Sequence, residues 1–155
     1  MNESRLGKQQ AIPKIRQYCA YQERCHTDVK EKLYGYGLHR EDVDSIISQM
    51  IEENYLNELR FAIQFAGGKF RLKQWGRIKI RYALKQKQVS DYCIKKALEQ
   101  IDDDKYQETL RLLAEKKVAT LKREKNMFIK KRKLQDHLLQ KGYESDLVKG
   151  ELGKL

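Results

Sequence analysis

Eight basic side chains and no acidic one lie between Ala66 and Lys87. These cations are Lys69, Arg71, Lys73, Arg77, Lys79, Arg81, Lys85 and Lys87. On a helix that begins near Gln74, the spacing i, i+4, i+8 aligns Arg77, Arg81 and Lys85 as one stripe that projects away from the core. Like charges on a helix repel one another by about 0.2–0.5 kcal/mol per close pair, and an anionic ligand relieves that repulsion. This first basic cluster therefore predicts phosphate binding.

A second basic cluster covers residues 116–133, where nine basic residues accompany one acid, Glu124. Its cations are Lys116, Lys117, Lys122, Arg123, Lys125, Lys130, Lys131, Arg132 and Lys133. Beside the first cluster, Trp75 and Tyr82 could stack on bases, which contributes about 1–3 kcal/mol per base. The alternative for Trp75 is a buried anchor, since large aromatic side chains fill cores. The alternative for both clusters is a solvated face, and the sequence leaves these alternatives open.

The positive charge is confined to the later part of the chain. Residues 1–65 carry 9 Lys/Arg against 10 Asp/Glu, whereas residues 66–155 carry 24 against 12, within a formal net charge of +11. A concentrated positive field attracts polyanions, so nucleic acid, an anionic membrane and an acidic protein surface are the candidate partners. The charge-balanced N-terminal part, including Arg5, Lys8 and Lys14, is expected to contribute little to that attraction.

The sequence favours a binding protein over an enzyme. It has no glycine-rich phosphate loop, no His-Glu-x-x-His and no plausible Ser-His-Asp set, and its three histidines are isolated. Cys19, Cys25 and Cys93 form no Cys-x-x-Cys pair, so we predict reduced, buried thiols, no metal site and no cofactor. No apolar run approaches the roughly 18 residues of a membrane span and no signal core is found, so we expect a cytoplasmic protein without a membrane partner.

A pattern of apolar residues around a helix-ending position occurs three times, with successive copies shifted by 51 and 54 residues. The first copy is Leu33, Gly37, Leu38, Val43, Ile46 and Ile47. The second copy is Leu84, Gln88, Val89, Ile94, Ala97 and Leu98, and the third is Leu138, Gly142, Tyr143, Val148 and Leu152. Glycine tolerates the positive φ that often follows a helix, so Gln88 is the one departure at that position.

Each copy predicts two helices separated by a stop, and one further helix precedes each copy. The chain is therefore predicted to be all-α, with three tandem three-helix repeats. Because units of about 50 residues are marginal alone, we expect them to lean on one another in an elongated, curved array. The predicted divisions are a flexible N-terminal tail over residues 1–10, repeat 1 over 11–58, repeat 2 over 59–104 and repeat 3 over 105–155.

The stretch Asn54-Tyr55-Leu56-Asn57-Glu58-Leu59-Arg60-Phe61-Ala62, followed by Gly76-Arg77-Ile78 and the helix end at Leu84, resembles the RecX family, the negative regulators of RecA. Family members typically read Tyr-Leu-Asp-Asp-x-Arg-Phe-Ala, which this stretch matches except at Asn57 and Glu58. The resemblance covers residues 11–152. Two departures are Leu72-Lys73-Gln74-Trp75, where many members have a Gly-x-Gly-Pro turn, and Gln88, where a glycine is usual.

The resemblance implies a regulatory protein that binds RecA and the RecA–single-stranded DNA filament. From the triple repeat we expect an elongated monomer. It would inhibit or modulate RecA's recombinase, ATPase and coprotease activities in DNA repair and the SOS response. The two basic clusters would contact DNA phosphates, in the second cluster through Lys130, Lys131, Arg132 and Lys133.

The family motif itself has two interpretations. Tyr55, Leu56, Arg60 and Phe61 either contact a partner or pack at the joint between repeats 1 and 2, where Arg60 would bind carboxylates or carbonyls. The alternative function for the whole chain is a stand-alone helical protein that binds single-stranded nucleic acid without RecA.

Overall fold

Nine α-helices make up residues 6–155, the part of the chain that the computed structural model describes, and no strand lies among them. The helices are α1 (Lys8–Tyr21), α2 (His26–Gly35), α3 (Arg40–Glu52), α4 (Glu58–Lys73), α5 (Arg77–Gln86), α6 (Asp91–Glu99), α7 (Asp103–Thr120), α8 (Met127–Lys141) and α9 (Ser145–Leu152). They fall into three groups of three, divided at residues 53–57 and 100–102. The prediction of an all-α fold made of three-helix repeats is confirmed.

Side-chain caps explain where four of the helices begin. The residue before each helix accepts a hydrogen bond from the backbone NH three positions later, which satisfies one of the free donors at a helix start. These caps are Asn57 for α4, Ser90 for α6, Asp102 for α7 and Asn126 for α8. Two of them, Asn57 and Asp102, stand at the divisions between repeats.

The first helix begins earlier than the predicted boundary. α1 starts at Lys8 rather than Ala11, after Gly7 in an extended conformation. The Leu6 backbone NH donates to the Tyr36 carbonyl at 2.7 Å, which ties the start of α1 to the end of α2. Residues 8–10 therefore belong to repeat 1, and residues 1–5 of the predicted flexible tail lie outside the described residues.

The three helix-ending positions of the repeat share one backbone conformation. Gly37, Gln88 and Gly142 have φ values of 87°, 62° and 101°, all in the left-handed region. In the second and third copies the next backbone NH bonds back to the leucine of the pattern, from Val89 to Leu84 and from Tyr143 to Leu138. Gln88 thus makes the same turn as the glycines, at the energetic cost that a side chain pays there.

We predict that Gln88→Gly stabilises the protein by about 0.5–1 kcal/mol. The substitution removes the roughly 1–2 kcal/mol that the left-handed region costs an L residue. About 0.5–1 kcal/mol of this gain is offset, because glycine loses more chain entropy on folding. Urea denaturation followed by circular dichroism measures the change. The control is Gln64→Gly on the exposed side of α4, which should lose about 0.5–1 kcal/mol. Destabilisation by both variants would contradict the expected strain at Gln88.

Hydrophobic packing divides the described chain unevenly. Repeat 1, formed by α1–α3, has its own cluster, which includes Leu33 and Ile46. Repeats 2 and 3, formed by α4–α6 and α7–α9, share one cluster that includes Leu84 and Leu138. Cys25 of repeat 1 is buried in that shared cluster, with 1% of its surface exposed. Repeats 2 and 3 are therefore joined through a continuous core.

The molecule exposes more surface than a compact chain of its mass. Its accessible surface is 10142 Å², whereas a compact monomer of 18.4 kDa exposes about 8,200 Å². A tandem array in which each repeat contacts only its neighbours leaves more surface in water than a sphere does. The excess area supports the elongated arrangement expected from the repeats.

Repeats 2 and 3 meet where two turns cross backbone to backbone. The Gly76 NH donates to the Lys141 carbonyl at 2.8 Å, and the Ile78 NH donates to the Gly142 carbonyl at 2.9 Å. The Tyr143 hydroxyl donates to the Gln74 carbonyl at 2.9 Å. A Cβ atom on Gly76 would lie 2.3 Å from the Gly142 oxygen, so no larger residue fits without moving one of the two turns. This crossing holds the start of α5 against the turn between α8 and α9.

We predict that Gly76→Ala lowers the free energy of unfolding by about 1–3 kcal/mol, because the added methyl group overlaps backbone that cannot yield without breaking the crossing. Gly68→Ala is the matched control: a Cβ at this helical position meets nothing within 4 Å, and alanine should add about 0.5–1 kcal/mol. Thermal melts of both variants test this. Equal melting temperatures for Gly76→Ala and the unaltered chain would show that the crossing is not tight.

Candidate nucleic-acid interface

Arg77 lies in a network between repeats rather than on an open stripe. Its Nη1 lies 2.9 Å from Glu144 Oε2 and its Nη2 lies 2.9 Å from Asp103 Oδ1. Its guanidinium carbon is 3.8 Å from the centroid of the Tyr106 ring. The prediction that Arg77 projects away from the core together with Arg81 and Lys85 is wrong, because two carboxylates of repeat 3 hold it.

Tyr106 completes this network from inside the shared core. Its hydroxyl accepts a hydrogen bond from the Arg77 backbone NH at 2.8 Å and donates one to Glu144 Oε1 at 2.5 Å. Burial, and then the bond to Glu144, raise the pKa of Tyr106, so the hydroxyl stays protonated at neutral pH. Burial opposes the charge on Arg77, but the bonds to Glu144 and Asp103 outweigh it and raise the pKa of Arg77. Arg77 therefore works as a structural link between repeats 2 and 3.

Other cations of the first basic cluster are open to solvent. Arg71, Lys73 and Arg81 are exposed, and none has a carboxylate oxygen within 4.0 Å among residues 6–155. Lys85 is also exposed, but its Nζ lies 2.9 Å from Asp91 Oδ1. A salt bridge this exposed is weak, so Lys85 can exchange Asp91 for another anion at little cost.

Trp75 packs partly in the core and partly against basic side chains, so it combines features of its two sequence interpretations. The ring is half-buried and packs against the shared core. The ammonium groups of Lys69 and Lys79 lie 5.0 Å and 4.8 Å from its centroid, within range of cation–π attraction. Trp75 thereby holds two cations of the first basic cluster near one another. Tyr82 is 67% exposed and is free of the core, so its ring is accessible for stacking.

The second basic cluster lies on the end of α7, the following turn and the first half of α8. Lys122, Arg123, Lys125 and Arg132 are exposed and have no carboxylate within 4.0 Å in the described chain. Lys133 lies 3.8 Å from Glu124, the one acid of the cluster. Lys130 and Lys131 are half-buried. This cluster therefore retains most of its positive charge uncompensated.

An exposed aromatic residue inside the second cluster was missed by the sequence interpretation. Phe128 is 75% exposed at the start of α8, between Met127 and Ile129, which are 47% and 38% exposed. With Lys131, Arg132 and others it lines an open cleft of about 470 Å³. An exposed aromatic ring beside an arginine suits both base stacking and protein recognition. In the sequence, Phe128 can be recognised as the centre of three apolar residues that interrupt a basic run.

Two cations of the second basic cluster lie near His137. The imidazole lines a cavity of about 280 Å³ together with Lys116, Lys117 and Lys141. Burial, followed by repulsion from Lys117 and Lys141, lowers the pKa of His137 below its usual value of 6.5. A cavity with this lining offers several donors and cations to one phosphate group.

We predict that single-stranded DNA raises the pKa of His137, because phosphate beside Lys117 and Lys141 offsets the repulsion that keeps the imidazole neutral. Nuclear magnetic resonance of the imidazole CH signals against pH, with and without an oligothymidylate, gives both values. As a control, Lys117→Gln should raise the pKa of His137 in the absence of DNA, because it removes one of the two repelling ammonium groups. A pKa that stays unchanged when DNA is bound would place the phosphates elsewhere.

The family motif around residue 60 joins repeats 1 and 2. Arg60 Nε lies 2.5 Å from Glu23 Oε2, and its terminal nitrogens donate to the Asn54 side chain and carbonyl at 3.1 Å and 3.0 Å. Leu56 is buried in the cluster of repeat 1, whereas Phe61 is buried in the shared cluster. Tyr55 is half-buried against the first of these. The structure thus assigns these four residues packing and tethering contacts at the joint, which was the structural alternative.

The described residues also bear on other classes of site. Cys19, Cys25 and Cys93 are buried, unpaired thiols. Residues 6–155 contain no group of three or more His, Cys, Asp or Glu side chains arranged to hold a metal ion. Within the same residues, no helix combines the length and apolar character needed to cross a membrane.

Comparison with known proteins identifies the RecX family. Residues 57–98 match the model of RecX, second three-helix domain, and residues 103–150 match that of RecX, third three-helix domain. A relative from Clostridium botulinum (strain Eklund 17B / Type B), named Regulatory protein RecX, is 35% identical over 122 residues, 78% of this chain and 57% of the relative. The chain therefore spans little more than half the length of this relative. A protein of the same name from Prosthecochloris aestuarii is 28% identical over 138 residues, 89% of this chain and 88% of the relative.

Solved structures show the same fold. The crystal structure of RecX from Lactobacillus salivarius superposes with a TM-score of 0.85 at 24% identity, covering 96% of both chains. A second crystal structure, of regulatory protein RecX, has a TM-score of 0.83 at 22% identity and covers 92% of this chain and 70% of the other. At such identities the likeness concerns the arrangement of helices.

Proposed function

The chain belongs to the RecX family, and from this premise we propose that it binds RecA and RecA–single-stranded DNA filaments and restrains RecA activity. In this proposal the protein is a monomeric cytoplasmic regulator of recombination and the SOS response, without catalytic activity of its own. The relatives that carry the name Regulatory protein support the regulatory part.

The observation that carries the proposal is the set of uncompensated cations on two repeats that share one core. Arg71, Lys73 and Arg81 on repeat 2, and Arg123 and Arg132 on repeat 3, are exposed without a nearby carboxylate in the described chain. Neutralising phosphates with such cations releases counterions and supplies sequence-independent affinity. The elongated shape, inferred from the excess surface, suits a long groove better than an enclosed ligand.

Phe128 gives the same surface a means of contacting protein. Aromatic residues, methionine and arginine are enriched at the cores of protein interfaces, and Phe128 lies beside Met127 and Arg132. We therefore assign DNA phosphates to the two basic clusters and a RecA protomer to the cleft around Phe128. Binding to both at once would obstruct extension of the filament and exchange of strands.

We predict that Arg71→Glu, Lys73→Glu and Arg81→Glu together weaken both single-stranded DNA binding and inhibition of RecA-dependent ATP hydrolysis by ~10-fold or more, because they reverse the local field. Removing three phosphate contacts should also lower the salt dependence of DNA binding, by roughly 2 in the slope of log affinity against log salt. Arg77 is left unaltered, since its carboxylate partners make it structural.

The control for this triple variant is Lys30→Glu, Lys95→Glu and Lys149→Glu. These lysines are exposed and scattered over three repeats, so the net charge changes equally without removing a cluster. Full inhibition of RecA by the Arg71/Lys73/Arg81 variant, once a melting curve shows that it is folded, would contradict the role of the first cluster. Inhibition of RecA only at concentrations that already coat bare DNA would favour the alternative, a stand-alone nucleic-acid-binding protein.

A further inference from the structure

A cavity of about 610 Å³ opens on repeat 1, and none of its lining residues belongs to either basic cluster. Its lining includes three tyrosines and three cations and no acidic residue: Lys14, Tyr18, Tyr21, Arg24, Lys32 and Tyr36. The cavity lies between α1, the turn after it and α2. The cavity is shallow and wide open to solvent, unlike the enclosed sites of most small ligands.

The rings and cations of the cavity lie against one another. The guanidinium carbon of Arg24 is 3.7 Å from the centroid of Tyr18, and Arg24 Nε donates to the Tyr18 carbonyl at 3.0 Å. Lys32 Nζ lies 5.2 Å from the Tyr18 centroid and 5.9 Å from that of Tyr36. These contacts hold both cations against the Tyr18 ring. The positions of the charges are therefore set before any ligand arrives.

The cations of the cavity lack the counterions that other cations of the chain possess. Arg16, Arg60 and Arg77 each lie within 4.0 Å of a carboxylate oxygen. Within residues 6–155, none of Lys14, Arg24 and Lys32 has a carboxylate oxygen that close. Three neighbouring cations without a carboxylate counterion repel one another, and an anion placed among them would relieve that repulsion.

We propose that this cavity binds a nucleoside phosphate as one unit of a single-stranded nucleic acid, with the base on Tyr21 and the phosphate among Lys14, Arg24 and Lys32. Tyr21 is 82% exposed, so its ring is accessible to a base. Stacking on an aromatic ring beside backbone-binding cations is the general means by which proteins hold single strands. An acidic peptide would meet the cations but leave this ring without a partner.

Two further features fit the same ligand. Burial raises the pKa of Tyr18 and of Tyr36, so both hydroxyls keep their protons at neutral pH and can donate hydrogen bonds to phosphate or base oxygens. The site also gives a function to Lys14, which lies in a segment whose overall charge balance predicted little interaction with polyanions. Its residues all lie on repeat 1, so they differ from the cations assigned to DNA on repeats 2 and 3.

The test follows the backbone amide signals of the full chain by nuclear magnetic resonance during titration with two probes, thymidine 5′-monophosphate and a three-nucleotide oligothymidylate. We expect both probes to shift signals of α1 and α2, and the oligonucleotide to bind ~10-fold more tightly, because its additional phosphates displace further counterions. Equal affinity for the two probes would identify a free nucleotide as the ligand and overturn the assignment to a strand. Absence of shifts in α1 and α2, or shifts with an oligoglutamate peptide alone, would overturn the nucleotide site.

Two pairs of variants separate the cavity from general charge and exposure. Lys32→Glu should weaken the oligonucleotide affinity that the α1 and α2 signals report by ~10-fold. Lys30→Glu changes an exposed lysine outside the cavity on the same helix, and should weaken that affinity by less than ~2-fold. Tyr21→Ala should weaken the same affinity by ~5–10-fold, and Tyr92→Ala, at an exposed tyrosine of repeat 2, by less than ~2-fold. Equal losses within either pair would refute the site. None of these measurements uses RecA, so their outcome is independent of the proposed function.

Discussion

The close approach of Gly76 and Gly142 is the constraint on which the arrangement of repeats 2 and 3 depends. Two turns can exchange backbone hydrogen bonds only if neither carries a side chain at the point of contact, and the missing Cβ of Gly76 provides that space. Once the turns meet, Tyr106 lies where it can accept from the first free NH of α5, and Arg77 lies where Asp103 and Glu144 can bind it. The shared core and the relative positions of the two basic clusters follow from this contact.

The joint between repeats 1 and 2 is built differently. It uses one ion pair, Arg60 with Glu23, together with Cys25 buried in the neighbouring core and a long hydrogen bond from Thr27 to the Lys87 carbonyl at 3.4 Å. The second oxygen of Glu23 is buried without a hydrogen-bond partner, so part of the desolvation cost of this ion pair is not recovered. The two joints therefore differ in kind: a backbone crossing over a continuous core holds repeats 2 and 3, and side-chain tethers hold repeat 1.

The sequence predicts features that recur along the chain, and fails where partners are distant in sequence. Apolar spacing around Leu33, Leu84 and Leu138 identifies the three-helix units, because each unit repeats the same local packing problem. It also locates the turn at Gln88, even though the residue type there departs from the pattern. Arg77 is different, because Asp103 and Glu144 lie 26 and 67 residues away. No local periodicity signals such a contact, so spacing alone made a structural arginine look like part of an open stripe.

The net charge of a segment does not show which of its charges are paired in the folded chain. Residues 1–65 are almost neutral by count, yet their charges do not cancel in place: Glu53 is taken up by Arg16, and Glu23 by Arg60. This pairing leaves a local excess of positive charge, which in repeat 1 lies at Lys14, Arg24 and Lys32 beside three tyrosine rings. The same logic works in the opposite direction at Arg77, whose charge counts toward the first basic cluster but is consumed within the fold. A cation attracts an external anion most strongly when folding leaves it without a carboxylate partner. Which cations remain unpaired in this way depends on the tertiary structure.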